Sequence, residues 1–69
     1  MEQKQIKDLK RGDFFTLKDY GEETTPSARV YVRGDYDRSE RKFEVYKFDD
    51  VNAARFIRGD KTVFVGFTF

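Results

Sequence analysis

The sequence predicts a mainly β fold, a small five-stranded barrel with one short helical turn before the last strand. Apolar and polar residues alternate in several short segments, which is typical of half-buried strands. The chain has 69 residues, with eight Phe, four Tyr, no Cys and no His. We therefore expect one domain, residues 1–69, whose core forms by aromatic packing without a disulfide or the usual zinc ligands.

The first strand is predicted at Asp13–Lys18. Its period of two places Phe15 and Leu17 towards the core. The opposite face of the same strand would carry Phe14, Thr16 and Lys18. The strand is therefore expected to be buried on one face only.

Two segments flank this strand. Ile6 and Leu9 before it are three residues apart, which suits a turn of helix or a lid over one end of the barrel. After it, Asp19–Ser27 has the composition of a loop, and Pro26 disfavours continuation of a strand. This loop carries three acidic residues and no basic one: Asp19, Glu22 and Glu23.

The centre of the chain predicts a β-hairpin with strands at Ala28–Tyr36 and Arg41–Phe48. Its polar tip, Asp37-Arg38-Ser39-Glu40, has a common loop length. In the resulting register Val32 faces Val45 on the inner side. On the outer side the register pairs Tyr31 with Tyr46, Arg33 with Glu44 and Asp35 with Lys42. Aromatic and opposite-charge pairs of this kind stabilise sheets.

Two further pairs bear on this register. Gly34 would face Phe43, whose ring can cover a bare glycine. Val30 would face Lys47, a mismatch that a bulge near Tyr46–Lys47 would resolve.

The segment after the hairpin predicts a short turn of helix. Asp49-Asp50 has the composition of a helix N-cap, and Val51–Ala54 would form the turn, followed by a brief extended piece. The alternative is a strand at Arg55–Arg58 that turns at Gly59-Asp60.

The last strand is predicted at Thr62–Phe69. The core side of this strand would carry Val63, Val65, Phe67 and Phe69. The opposite side would carry Phe64, Gly66 and Thr68. We expect the strand to pair within the sheet.

These elements follow the order of a known small barrel. The stretch Leu9-Lys10-Arg11-Gly12-Asp13-Phe14-Phe15-Thr16-Leu17 is similar to the opening of many small bacterial barrels, where a turn glycine and aspartate lead into the first strand. The order of elements resembles the SH3-like barrel, and the whole chain is similar to short bacterial proteins of unassigned function. It departs from peptide-binding SH3 domains in having no Trp, so a polyproline groove is not expected.

An aromatic set falls on the predicted outer face of four strands: Phe14, Tyr31, Tyr46 and Phe64. Four basic residues share that face: Lys18, Arg29, Arg33 and Lys42. With SH3-like strand order the rings would lie together. These eight residues are the predicted binding site.

Three interpretations of this aromatic and basic face stay open. The favoured one is a non-enzymatic module that binds a protein partner, with self-association as one form of it. The second is binding of single-stranded nucleic acid, because bases stack on aromatic rings while cations hold the phosphates. The third is packing of the rings under the N-terminal segment or in a bent barrel. The formal net charge of +1 lies far below that of a dedicated duplex binder.

Catalysis and cofactors are not expected. The chain has no His for general-base work and no Cys nucleophile. Its serines, Ser27 and Ser39, fall in predicted loops, and no glycine-rich phosphate loop is present. The acidic residues near the hairpin tip, Asp35, Asp37 and Glu40, could surround a calcium ion. Their spacing is not that of an EF-hand, so a weak opportunistic site is the most they suggest, and no resident metal is predicted.

Arg-Gly-Asp occurs three times, at residues 11–13, 33–35 and 58–60. We interpret the repeats as turns, because glycine permits positive φ and aspartate bonds the local backbone. An adhesion ligand is the weaker alternative, because the sequence has no apolar signal segment. No apolar run approaches the length of a membrane span, and a cytoplasmic location without membrane partners is expected.

Overall fold

Six antiparallel strands form two sheets in the computed structural model, which describes residues 1–21 and 24–67. The strands are β1 Glu2–Gln5, β2 Phe14–Phe15, β3 Tyr31–Asp37, β4 Lys42–Lys47, β5 Asp50–Ile57 and β6 Thr62–Val65. Two short 3-10 helices lie at Ile6–Asp8 and Ser27–Arg29. The mainly β prediction is confirmed. Within the described residues the sheets do not close into a barrel, so the five-stranded SH3-like form is not confirmed.

One sheet has the strand order β2-β3-β4-β5, and the other pairs β1 with β6. Among the described residues, one isolated bridge between Thr16 and Phe64 joins them. Each residue donates its backbone N–H to the carbonyl of the other at 2.9 Å. The strand β2 therefore forms the seam of the fold, with β3 on one side and β6 on the other.

The N-terminal segment is ordered against β6, which the sequence did not predict. Glu2–Gln5 has no apolar residue, but Lys4 pairs with Val63 in the ladder. The 3-10 helix after it buries Ile6 completely. Its amide N–H donates to the carbonyl of Lys61 at 3.1 Å. The predicted helical turn over one end of the core is confirmed here, with Leu9 also buried.

The predicted helical turn before the last strand is wrong. Residues Asp50–Ile57 form β5, which pairs with β4 along an edge of the sheet. The Asp50 carboxylate accepts a hydrogen bond from the amide of Asn52 at 3.1 Å, so it bonds its local backbone in a strand rather than capping a helix. The local preference for a helical turn is outweighed here, because backbone hydrogen bonds to β4 stabilise an extended conformation along the segment. The alternative, an extended segment from Arg55 that turns near Gly59, is closer to the structure.

The predicted hairpin of β3 and β4 is present, but its register is wrong. Asp37 pairs with Lys42, and the carboxylate of Asp37 accepts hydrogen bonds from two amides in the loop. Arg41 in the loop takes a positive φ of 55°. A second shift lies between Arg33 and Tyr36. Together these irregularities place Val32 opposite Tyr46 instead of Val45, and the bulge predicted near Tyr46–Lys47 falls between β4 and β5.

A shift of one residue exchanges the two faces of a strand, and this happens in β3. Tyr31 stacks on Phe15 at the core, with ring centroids 5.8 Å apart. Val32 lies on the opposite face, paired with Phe14 on one side and Tyr46 on the other. Tyr31 is therefore a partner of the core and not of the outer face.

The core lies between the two sheets and under the first 3-10 helix. Its buried members are Ile6, Leu9, Phe15, Phe43, Val45, Ile57 and Val63. Leu17, Tyr31 and Val65 pack at its edge. The predicted inward residues of β2 and β6 are confirmed in Phe15 and Val63, which are fully buried.

Two strand predictions need correction at their ends. β2 is only two residues long, and Thr16 after it is fully buried rather than outward. β6 stops at Val65, and Gly66 takes a positive φ of 78°, so Phe67 does not extend the strand. The predicted positions of Thr68 and Phe69 lie outside the described residues.

Two of the three Arg-Gly-Asp repeats lie at turns. In the first, the Asp13 carboxylate accepts a hydrogen bond from the amide of Lys10, and Gly12 has a φ of 91°. In the third, Arg58 pairs with Asp60 across the turn. The second lies in β3, where the register shifts. No described helix is long and apolar enough to cross a membrane.

Candidate functional site

The four predicted aromatics do not form one surface. Phe14 and Tyr46 lie on the outer face of the larger sheet, each beside Val32. Tyr31 lies on the other face of that sheet. Phe64 is half-buried in β6, opposite Gln3. The predicted single aromatic face is therefore wrong, because the register of β3 reverses its parity.

The four predicted cations also separate. Arg33 turns inward, with its guanidinium carbon 4.2 Å from the centroid of the Phe43 ring. Lys42 lies at the hairpin loop, paired with Asp37 in the ladder. Lys18 and Arg29 come together with Tyr31 around one cleft. Three of the eight predicted residues therefore share a site.

This cleft has a volume of about 400 Å³ and lies between the segment that follows β2 and the segment that leads into β3. We call it the β2–β3 cleft. Its lining residues are Leu17, Lys18, Tyr20, Pro26, Arg29 and Tyr31. Two exposed cations and two half-buried phenol rings therefore face a common space.

Thr16 fixes the first wall of the cleft. Its backbone is held by Phe64, and its buried hydroxyl donates a hydrogen bond to the carbonyl of Lys18 at 2.7 Å. This bond bends the chain away from the direction of β2, so Leu17 packs at the edge of the core and Lys18 stays exposed. A buried hydroxyl without such a partner would cost stability.

Tyr20 continues the same wall. Its amide N–H lies 3.0 Å from the Sδ atom of Met1, which ties the loop to the N-terminus. The Nζ atom of Lys18 lies 5.8 Å from the centroid of the Tyr20 ring, within the range of a weak cation–π contact. The Tyr20 ring and the Lys18 ammonium group therefore lie next to each other in the lining of the β2–β3 cleft.

The second wall begins at Pro26, which precedes the 3-10 helix Ser27–Arg29. Proline has no amide to donate and fixes its own φ, so it suits the start of such a helix. The amide of Arg29 donates to the carbonyl of Pro26 at 2.9 Å, and this turn leaves the Arg29 side chain exposed. Tyr31 follows at the start of β3, with Phe15 supporting its ring from the core side.

The chemistry of the lining set is cationic and aromatic. Among the described residues that line it there is no carboxylate, and the two charged ones are both basic. Such a cleft favours an anionic group that also offers a flat or apolar surface, because guanidinium and ammonium bind anions while tyrosine and proline pack against rings and methylenes.

The acidic residues near the hairpin tip do not converge. Asp37 bonds the amides of Ser39 and Glu40, and Asp35 pairs with Arg11 at 3.4 Å. In residues 1–21 and 24–67, no group of three or more potential metal ligands lies together.

Three lining residues were missed by the sequence: Leu17, Tyr20 and Pro26. Leu17 was assigned to the core, and the other two to a loop. The available signal was the Lys18 and Tyr20 spacing together with a proline in the same loop. A pattern search confined to strands does not detect a site built by loops. Comparison with protein families, curated proteins and solved structures finds no match to this chain.

Proposed function

We propose that this chain is a non-enzymatic binding module, and that the β2–β3 cleft takes an acidic, extended segment of a partner protein. The observation that carries the proposal is the convergence of Lys18 and Arg29 beside Tyr31, from two separate parts of the chain. Cations placed at both walls attract a carboxylate between them. The aromatic floor would pack against the backbone or an apolar side chain next to that carboxylate.

The charge balance favours a peptide over a nucleic acid. The formal net charge is +1, and Arg33 and Lys42 do not extend the cationic track of the cleft. A nucleic acid site needs several cations along a groove to follow successive phosphates. A peptide with one or two carboxylates needs only the pair that is present.

Single-stranded nucleic acid is the second candidate, favoured by one observation. Tyr20 and Tyr31 lie in the same cleft as the two cations, which is the combination that stacks bases and holds phosphates. The two candidates differ in how steeply affinity falls with salt.

We further propose an SH3-like organisation and a cytoplasmic location. The bridge between Thr16 and Phe64 supports the first, because it links the two sheets through the first and last long segments of the predicted barrel. The absence of Cys from the chain is compatible with a reducing compartment and supports the second.

Fluorescence polarisation tests the binding proposal. The molecule is 37 Å in its longest dimension, and a peptide of about ten extended residues, at about 3.4 Å each, spans that length. The probes are a labelled peptide of this length rich in Asp and Glu with one Tyr, its Lys-substituted counterpart, and an oligo(dT) of similar length. We expect binding of the acidic peptide only, with an affinity that falls with salt less steeply than that of a site for several successive phosphates.

A matched pair of variants locates the site. Lys18→Ala with Arg29→Ala removes both cations of the cleft, and we expect it to weaken peptide binding by about tenfold or more. Lys10→Ala with Arg38→Ala removes the same charge elsewhere and should leave affinity unchanged. Equal losses of peptide affinity in both variants would mean that only net charge matters, and would contradict the β2–β3 cleft as the binding site. Steep salt dependence with oligo(dT) would favour the second candidate.

A further inference from the structure

The strand β5 has an exposed edge. In the part of the chain that the structure describes, β5 is the last strand of its sheet and pairs only with β4. Seven of its eight residues are exposed or half-buried. An edge strand presents unpaired backbone N–H and C=O groups to any extended chain that can lie beside it.

Two large apolar side chains on this strand face solvent. Val51 is 69% exposed and Phe56 is 42% exposed. The register with β4 shifts between Ala54 and Asp50, so the residues between them form a bulge and only Ala54–Ile57 continues the regular ladder. Val51 therefore projects from the sheet beside its edge. A small domain gains stability when such surface is covered.

The charges of this strand are arranged by sign. Asp49 and Asp50 stand at its start. Arg55 lies near its end, and Arg58 follows it, paired with Asp60 at 3.2 Å across the turn. If a second copy pairs antiparallel beside this strand, the acidic start of each strand lies next to the basic end of the other. Two-fold symmetry makes this contact occur twice. A parallel copy would bring like charges together. The strand is therefore complementary to itself in one orientation only.

We propose that the occupant of this edge is a second copy of the same chain, paired antiparallel through β5 about a two-fold axis. The acidic start of each strand then lies beside the basic end of the other. The two four-stranded sheets join into one continuous sheet of eight strands.

A second cleft supports this arrangement. It has a volume of about 610 Å³ and lies between the end of β5 and the start of β6. Leu17, Phe56 and Ile57 line it together with five polar residues: Arg55, Arg58, Asp60, Lys61 and Thr62. Antiparallel pairing brings the start of the partner copy's β5, with its Val51, towards this opening, where the three apolar side chains cover part of it. This surface is separate from the cations of the β2–β3 cleft, so the inference stands independently of the proposed function.

Sedimentation velocity of the full chain over a concentration range tests the proposal. We expect a reversible monomer–dimer equilibrium with a dissociation constant below about 1 mM, which is the range of weak specific association. Val51→Lys puts a charge at the edge, and we expect it to raise the dissociation constant by about tenfold or more. Glu40→Lys at the distant hairpin loop is the control and should leave it unchanged. A chain that stays monomeric at about 1 mM overturns the proposal, as does a dimer that Val51→Lys leaves intact.

A charge-exchange experiment tests the orientation without relying on one substitution. One variant carries Asp49→Lys and Asp50→Asn, which keeps a side-chain oxygen for the amide of Asn52. The other carries Arg55→Glu and Arg58→Glu. Each variant alone should be monomeric, because both ends of its strand then lose their attraction for a second copy. An equimolar mixture should form a heterodimer, and a mixture that stays monomeric overturns the antiparallel pairing.

Discussion

The guanidinium of Arg33 lies over the ring of Phe43, 4.2 Å from its centroid, on the core side of the sheet. One of its terminal nitrogens donates to the carbonyl of Gly34 at 3.0 Å. Its Nε atom is buried and makes no hydrogen bond with any residue that the structure describes. Arg33 was predicted to bind ligands on the outer face, but its side chain covers the Phe43 ring at the edge of the core.

The position of Arg33 predicts a loss of stability and not of binding. We expect Arg33→Ala to lower the free energy of unfolding by about 1–2 kcal/mol, because the ring loses a cation and the methylene cover. Arg33→Met keeps the cover and removes the unbonded Nε, so it should cost less. Urea denaturation measures both. Loss of peptide affinity in folded Arg33→Met would show that the side chain acts in binding after all.

Gly34 is required where β3 shifts its register. A Cβ atom built there would lie 2.8 Å from the carbonyl oxygen of Glu44, which is backbone and has no room to move aside. We expect Gly34→Ala to cost about 1–3 kcal/mol. Gly21 has a φ of 64° but open space around it, so Gly21→Asn is the control and should be nearly neutral. Similar midpoints in urea for the two variants would contradict the close contact.

Phe14 and Phe15 are neighbours on β2 with opposite surroundings. Phe15 is fully buried, whereas Phe14 is 41% exposed and meets the edge of the Phe48 ring. We expect Phe15→Ala to cost about 3–5 kcal/mol, which is comparable with the whole stability of so small a core. Phe14→Ala should cost about 1–2 kcal/mol.

Because Phe15→Ala would leave little folded protein, Phe15→Leu provides a measurable variant with an expected cost of about 1.5 kcal/mol. Thermal unfolding followed by circular dichroism compares it with Phe14→Leu. If the Phe14 variant is the less stable of the two, the assignment of faces in β2 is wrong.

Thr16 offers a test of how the β2–β3 cleft is shaped. Thr16→Val keeps the volume and the backbone bridge to Phe64 but removes the hydroxyl that bonds the carbonyl of Lys18. We expect a stability loss of about 1 kcal/mol. We also expect weaker binding of the acidic peptide, because the wall that carries Lys18 loses its anchor. Thr16→Ser restores the bond and should recover affinity. Polarisation titrations of both folded variants provide the measurement.

The alternation of apolar residues predicted much of the fold correctly. Phe15, Val45 and Val63 are buried as expected, and the hairpin strands and the N-terminal helical turn are in place. Burial of one face is a local property, because period-two alternation specifies it within each strand. The hairpin register was wrong, because the loop with its positive φ at Arg41 and the shift between Arg33 and Tyr36 leave no periodic signal in the sequence.

The site was less accessible to sequence reasoning. Lys18, Arg29 and Tyr31 were predicted on an outer face of the sheet, and the structure places them around the β2–β3 cleft instead. Their convergence depends on the Thr16 hydroxyl bond and on the turn after Pro26, and neither leaves a periodic pattern. Tyr20 was assigned to a loop, whose position follows from tertiary contacts such as the one with Met1.

The sequence alone determined the class of molecule: a small, mainly β fold with no His, no Cys and almost no net charge. These properties are either counts of residues or periodic patterns within one strand. They can be read without knowing which strands pair with each other. The predicted aromatic core is mostly aliphatic, because only Phe15 and Phe43 of its seven buried members are aromatic. The tertiary structure decided which face of β3 is inward, that Asp50–Ile57 is an edge strand and not a helix, and which cations share a cleft. Such outcomes depend on register and on backbone hydrogen bonds between distant segments, where one residue of shift exchanges inside and outside.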